Sequence, residues 1–439
     1  MKKILLISLF LVIGISGMLL ATETRVLTMG DANMIVKDVA NISLFPQTII
    51  NYPNLFIAEN DDDDYFWSVG AHLKLDESST PAVIGAYFST YGYYNWLYYN
   101  YGHGDYISSA NNRIALVYGR EMGGNPFGVG FRYYRASEKG TYEEDTANGV
   151  WDYLDNYEYS LTRYELTTGI SLKEKKLELS AGIGITTWND KEYYYNPDPV
   201  YGDFTKPKGN LDLMLNARYW MNPRGKYVLI PHFSFWMGKE GLDYHPGRID
   251  SVYDGETYTV YKTNTVFEDK YTQFDLGIGM NYEAAENILI VGDVGIMLEV
   301  EKEKMEYEFP DYVDEAYVVT DTTFETKWTW NSMPYFRLGI DAEVFKWLNL
   351  RAGAETWWVS RKYEPARNDY EYSNYGLIKY EEGNVQTNTY LGAGCHWNNL
   401  GLDARIDPQF LTNGPYFISG DTDYGYGDFA WQVSLFYKF

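Results

Sequence analysis

Apolar and polar side chains alternate one by one along most of this chain. In the last residues, Phe429, Trp431, Val433, Leu435, Tyr437 and Phe439 fall on every second position; Gln432, Ser434 and Lys438 lie between them, with Phe436 the one exception. Leu402, Ala404 and Ile406 alternate with Asp403, Arg405 and Asp407, and Phe336, Leu338, Ile340 and Ala342 with Arg337, Gly339, Asp341 and Glu343. The runs around Leu350–Glu355, Phe274–Asn281 and Leu177–Ile185 have the same form. A period of two puts successive side chains on opposite faces of a strand. Runs of about 10 to 14 residues suffice for a tilted strand to cross a bilayer. Charge on the second face of so many strands favours lipid outside and water inside over a soluble barrel with an apolar interior.

The spacers alternate as well. Short ones lie at 121–125, 173–176, 221–226, 284–287, 345–349 and 398–400, and long ones at about 92–110, 136–157, 188–208, 239–267, 303–326, 363–384 and 411–427. Short turns on one side and long loops on the other are the rule for outer-membrane barrels. The predicted fold is therefore all-β: a transmembrane antiparallel β-barrel of fourteen to sixteen strands, occupying residues 53–439. The terminal strand, closing on Phe439 with Tyr437 and Leu435 in register, resembles the last strand of bacterial outer-membrane barrels. That resemblance makes these three residues the expected recognition signal for the barrel assembly machinery. At the other end, Lys2 and Lys3 precede an apolar run from Ile4 to Leu20 and then Ala21, the layout of a secretory signal peptide over residues 1–21. Export followed by a barrel points to the Gram-negative outer membrane, with its lipid as the surrounding partner.

Composition agrees with this picture. The chain has 44 Tyr, 21 Phe and 13 Trp in 439 residues, a density suited to aromatic rings at both membrane interfaces. Its mean hydropathy of -0.38 fits strands that are half in lipid and half in water, with polar loops. The net charge of -25 argues against nucleic acid as a partner. The single Cys395 excludes an intramolecular disulfide, and its alternation with Leu391, Ala393 and Trp397 places it on the lipid face.

Residues 22–52 break the strand pattern, mixing small and apolar residues with short helical potential. Gly30, Lys37-Asp38, Ala40-Asn41, Ser43 and Pro46, followed by Tyr52-Pro53 and a strand, resemble the N-terminal hatch of FadL-type long-chain fatty-acid transporters. Trp67–Leu73 and Ala82–Ser89 resemble that family's early strands, and the family's usual Asn-Pro-Ala stands here as Phe45-Pro46-Gln47. The likeness covers about 70 residues. It implies a fourteen-strand barrel with a lumenal plug in which Gly30, Asp38, Asn41 and Pro46 are placed, and an apolar ligand cavity beside Ile42, Leu44, Phe45 and Ile49. It also implies hydrophobic small molecules that enter from outside and leave sideways into the membrane.

Other chemistry is sparse. His232 and Ser234 share a face, but Leu229, Pro231, Phe233 and Phe235 form the apolar one, so the pair is read as a lumenal hydrogen-bonding pair rather than a catalytic one. The acidic run Asp61–Asp64 lacks the Gly turn and ligand spacing of a calcium loop and reads as a solvated turn. No phosphate loop or nucleophile elbow is present, so no enzyme activity, cofactor or metal is expected. The predicted lumenal charges are Arg132, Arg163, Glu165, Asp212, Arg218, Asp275, Asp293, Glu299, Arg337, Asp341, Arg351, Glu355, Asp403 and Arg405, six arginines against eight acids. Signs this nearly balanced suggest pairing across strands. Three functions fit: an uptake channel for hydrophobic molecules, a general diffusion porin for small polar solutes, and a structural or surface-binding barrel with long extracellular loops.

Overall fold

The computed structural model describes residues 23–61, 67–77, 81–89, 112–145, 152–195, 201–207, 210–222, 225–245, 249–253, 256–260, 265–313, 316–368, 380–406 and 431–439. The signal peptide, the acidic turn beyond Asp61 and the loops expected at 92–110 and 411–427 lie outside these residues.

The chain starts with a short helix α1 (Glu23–Thr28) and two 3-10 turns, η1 (Val39–Ser43) and η2 (Pro46–Asn51). Strands follow in antiparallel succession: β1 (Leu55–Asp61), β2 (Trp67–Lys74), β3 (Val83–Ser89), β4 (Asn112–Met122), β5 (Asn125–Asp145), β6 (Asp152–Leu172) and β7 (Leu177–Tyr195). Next come β8 (Tyr201–Pro207) and β9 (Asn210–Tyr219), both between β7 and β10 (Tyr227–His245), so that they share one position in the sheet. β11 (Ile249–Tyr253) and β12 (Glu256–Val260) form a separate hairpin. The sheet resumes with β13 (Thr265–Ala285), β14 (Ile288–Val313), β15 (Ala316–Phe345), β16 (Leu348–Asn368), β17 (Tyr380–Trp397), β18 (Leu400–Ile406) and β19 (Trp431–Lys438). β19 pairs with β1, from Leu55 opposite Lys438 to Asp61 opposite Gln432, and the ring closes. Seventeen strands in sixteen positions make a closed sixteen-strand barrel, the upper end of the expected range and two more strands than the FadL-type resemblance implies.

Burial follows the period of two. Leu116, Leu166, Ile183, Ile278, Leu338 and Leu350 are exposed on the outer face, while Arg163, Glu165, Asp212, Asp341, Arg351 and Asp403 are buried on the inner one. A soluble protein does not expose a continuous apolar belt of this kind, and a closed ring leaves no unpaired backbone edge in lipid. The structure is therefore that of a membrane-spanning barrel of the outer-membrane type. Among the described residues no helix is long and apolar enough to cross a membrane.

One expectation needs correction. The stretches 136–157, 188–208, 239–267, 303–326 and 363–384 are not simply loops, because strand pairing runs into each of them. β14 has 26 residues and β15 has 30, and they stay paired up to Val313 opposite Ala316. About 10 residues cross a bilayer, so this wall projects far beyond it. Beyond the lipid the outward face no longer has to be apolar, and the alternation that marks a strand fades although the backbone ladder continues.

An arginine at Ile278, exposed in the middle of the belt, should cost about 2–4 kcal/mol if that position faces the bilayer midplane. Reversible unfolding of Ile278→Arg in lipid vesicles measures this, and a change near zero would place the belt in water.

Candidate functional site

The residues before β1 contact the inner face around most of the ring. α1 touches β16 to β19, η2 touches β3 to β6, and the stretch between them meets β9 and β13. Close approach is possible because inward positions of several strands are glycine. A Cβ on Gly128 would fall 2.3 Å from the Gln47 nitrogen, one on Gly353 would fall 2.3 Å from the Gly30 nitrogen, and one on Gly279 would overlap Ile35. Gly30 itself has φ +79, and a Cβ there would lie 2.8 Å from the Ala354 carbonyl oxygen, so both backbone and space require glycine.

Local structure in this segment follows from its sequence. Asp38 caps η1, accepting from the Ala40 amide at 3.1 Å, while Asn41 Oδ1 accepts from the Asp38 amide at 3.0 Å, a reciprocal capping box. Pro46 opens η2, where its missing N–H costs nothing.

Arginines on the wall donate to four of its backbone carbonyls. Arg218, 1% exposed, donates through Nε to Glu178 at 2.5 Å and through Nη1 to the carbonyls of Asn33, Met34 and Val36 at 3.2, 3.2 and 3.4 Å. Its Nη2 donates to Asn41 Oδ1 at 3.0 Å. The guanidinium lies 4.4 Å from the Phe45 ring centre and 5.0 Å from that of Trp220, a cation held between aromatic faces. Phe45, where the resembled family has Asn, thus has a specific contact. Gln47 donates to the Ile170 carbonyl at 3.3 Å. Arg132 donates to the Ser43 carbonyl and to Glu165.

In the other direction the segment supplies an arginine of its own. Arg25 reaches Asp341 at 2.9 Å and Asp38 at 3.4 Å. Arg351 links Asp341 at 3.3 Å to Asp403 at 2.5 Å. Farther round, Arg337 lies 3.9 Å from Asp31, 3.5 Å from Asp293 and 3.6 Å from Glu355. Arg163 pairs with Asp212, and Asp275 accepts from Tyr335 at 2.8 Å. Arg405 lies over the Tyr390 ring at 5.4 Å. The predicted lumenal charges thus share the inner face and mostly pair with one another across strands.

His232 and Ser234 share that face but not a bond. His232 Nε2 meets Asp293 at 3.0 Å, and Ser234 donates to Asn216 at 2.8 Å. Leu435 and Phe439 are exposed, Tyr437 is half-buried and Phe436 turns inward. The Phe439 amide donates to the Asn54 carbonyl at 3.0 Å, tying the last residue to the start of the first strand.

Above the packed part of the segment lies a cavity of about 720 Å³. Val26, Leu27, Met34, Val39, Ile42 and Leu44 line it from the segment, and Ile57, Tyr87, Val117, Met214, Trp236 and Met297 from the wall. Polar groups also face it, among them Ser234, Gln273, Asp275, Glu299, Arg132 and Arg337. Of the four residues expected beside an apolar cavity, Ile42 and Leu44 line this one. Phe45 and Ile49 instead pack in two buried apolar clusters, Ile49 with Leu55, Val83 and Val117, and Phe45 with Met29, Ile35, Ile230 and Val291. Both are fully buried because they face the short-turn end of the barrel, where the wall is near and lined by apolar residues. The anchors Arg25, Asn33, Glu59 and Ser434 were not among the expected residues; Glu59 accepts from the Glu23 amide at 3.2 Å and from Ser434 at 2.8 Å. The alternation of β1, with Leu55, Ile57 and Glu59 sharing a face, is the signal that would have placed Glu59 inward.

No family model matches the chain, and no curated protein matches it in sequence. Among solved structures it is similar to the toluene transporter TodX of Pseudomonas putida at 10% identity and a TM-score of 0.40, covering 96% of this chain and 98% of that one. It is also similar to the siderophore receptor PiuA of Acinetobacter baumannii, at 9% identity and a TM-score of 0.35, covering 88% of this chain and 81% of that one. For CdiB of Acinetobacter baumannii the identity is 10%, the TM-score 0.32 and the coverage 87% of this chain; the chain spans only 59% of that protein.

Burial pushes the Asp38 carboxyl up to about 7 from the ordinary 3.8, against the opposing pull of Arg25 and of the Ala40 amide. Released into water, the group returns towards its ordinary value. A docked segment that keeps this proton gains stability below about pH 4 and loses it as pH rises to about 7. Hydrogen exchange of the amides in 33–45, corrected for intrinsic rates, should therefore show protection falling over that window, with the slope flattened in Asp38→Asn. Protection that rises with pH would contradict this.

Proposed function

We propose that the protein is an outer-membrane channel for the uptake of hydrophobic small molecules, and that residues 22–52 act as its plug. The observation that carries this reading is the cavity: its floor is built by apolar side chains of the N-terminal segment and its walls by the barrel, in a concave site of the size small ligands occupy. A general diffusion porin has no use for a segment clamped across the lumen by Arg218, Arg132 and Asp341. The resemblance of the first 70 residues to the FadL-type hatch points the same way. In this reading the exposed outer belt sits in outer-membrane lipid, the signal peptide directs export, and Leu435, Tyr437 and Phe439 engage the assembly machinery. A surface-binding role is favoured by one separate feature, the tall wall of β14 and β15, and is compatible with transport.

Removal of residues 24–51 from the mature chain tests the proposal. Single-channel conductance in planar bilayers should rise several-fold, and uptake of a labelled alkane or fatty acid by cells should be lost. Unchanged conductance and uptake would make the segment dispensable and return the choice to a porin or a structural barrel.

A further inference from the structure

Across the cavity wall, cross-strand pairing sets Met214, Trp236, Gln273, Glu299 and Trp330 side by side in one row on β9, β10, β13, β14 and β15. Directly paired residues share a face, so this row faces the lumen with Glu299, which is 7% exposed. Glu299, Trp236 and Gln273 line the cavity. Glu299 Oε1 is buried and has no hydrogen-bond partner. One oxygen in each of Asp212, Asp269 and Glu301 on the inner wall also accepts no hydrogen bond, but Glu299 is the one of these four that lines the cavity. Gln273, paired with Glu299 across the strands and able to donate, points its Nε2 to Met297 Sδ at 3.1 Å instead. Among the described residues three arginines line the cavity, and all are engaged: Arg337 with Asp31, Asp293 and Glu355, Arg132 with Glu165 and the Ser43 carbonyl, and Arg113 with a partner of its own. Glu301, two residues along the same strand and on the same face, adds a second negative charge to the surroundings.

A buried carboxylate oxygen with no donor is costly, and a ligand that brings a donor removes the cost. The neighbours specify which donor. Tryptophan faces attract cations through their quadrupole, and Trp236 and Trp330 stand in the same row as Glu299. From the N-terminal segment, Leu27, Met34 and Ile42 bring apolar side chains to the cavity, and Glu23 and Asp31 add further negative charge. We propose that Glu299 is the anchor of a binding site for small amphipathic amines, the ammonium held by the Glu299 carboxylate in the row that also brings Trp236 to the cavity, and the apolar body against Leu27, Met34 and Ile42. The inference rests on the reading of the cavity as a small-molecule site and specifies the class of ligand it selects.

Calorimetric titration of the purified full-length barrel with three probes of similar shape tests it: phenethylamine, hydrocinnamate and ethylbenzene. At neutral pH the wild-type protein should bind phenethylamine about tenfold or more tighter than hydrocinnamate. Glu299→Gln should weaken phenethylamine by about tenfold more than it changes ethylbenzene. Equal or weaker binding of phenethylamine relative to hydrocinnamate in the wild type overturns the proposal without reference to any variant. So does an unchanged phenethylamine affinity in Glu299→Gln. Wild-type protein that binds phenethylamine through Glu299 but not ethylbenzene would support the amine site while removing the hydrophobic-uptake reading, so the two failures are distinct.

Discussion

An arginine cannot shed its charge inside a protein, and its five N–H donors point in fixed directions. Arg218 is buried on the inner wall, and that wall supplies Glu178 as its partner. The remaining acceptors, three carbonyls and the Asn41 side chain, come from the N-terminal segment. Segment and wall therefore complete each other. Without the segment, a buried guanidinium lacks most of its acceptors; without Arg218, three carbonyls in a non-repetitive backbone lose their donor. Removing one side of such a buried arrangement typically costs about 3–5 kcal/mol. The path of residues 33–41, and with it the floor of the cavity, depends on this contact.

The rest of the lumen is organised to match. A ring of sixteen strands encloses more space than wall side chains alone fill. Inward glycines such as Gly128, Gly279 and Gly353 let the segment lie against the backbone at the short-turn end, while arginine–carboxylate pairs brace the wall elsewhere. Where the segment stops, the cavity begins. Its surface is mixed, apolar side chains such as Leu27, Met34 and Ile42 meeting polar ones such as Gln273, Asp275 and Glu299. The Glu299 Oε1 atom accepts no hydrogen bond, and its residue lines the cavity.

Most of the barrel was legible in the sequence. The all-β barrel and the antiparallel order of its strands follow from alternation, because a buried face imposes a strict period of two, whereas alternation leaves the count between fourteen and sixteen and the closed ring fixes it at sixteen. The strand ends were less legible. In β14 and β15 the ladder outlasts the bilayer, and beyond the lipid no apolar belt marks the outward side chains. The site was legible only in part. Asp38, Asn41 and Pro46 carry local capping chemistry that a sequence displays, whereas the grip of Arg218 on carbonyls 33–36 is a contact across more than 180 residues that no local pattern encodes. Phe45 and Ile49 were expected at the cavity because they are apolar. Hydrophobicity marks a residue for burial but does not distinguish a packed cluster from a cavity wall.

The most direct test of the central claim, that the N-terminal segment is seated on the inner wall, is a covalent link between the two. Thr24 Oγ1 and Ser434 Oγ lie 2.5 Å apart, joining α1 to the last strand. With Cys395→Ser removing the native thiol, Thr24→Cys and Ser434→Cys place two sulfurs within disulfide reach. In the folded barrel the pair should oxidise nearly completely, shifting non-reducing gel migration of the denatured chain. Two thiols that stay free and react with maleimide in the folded protein would mean that the segment lies elsewhere.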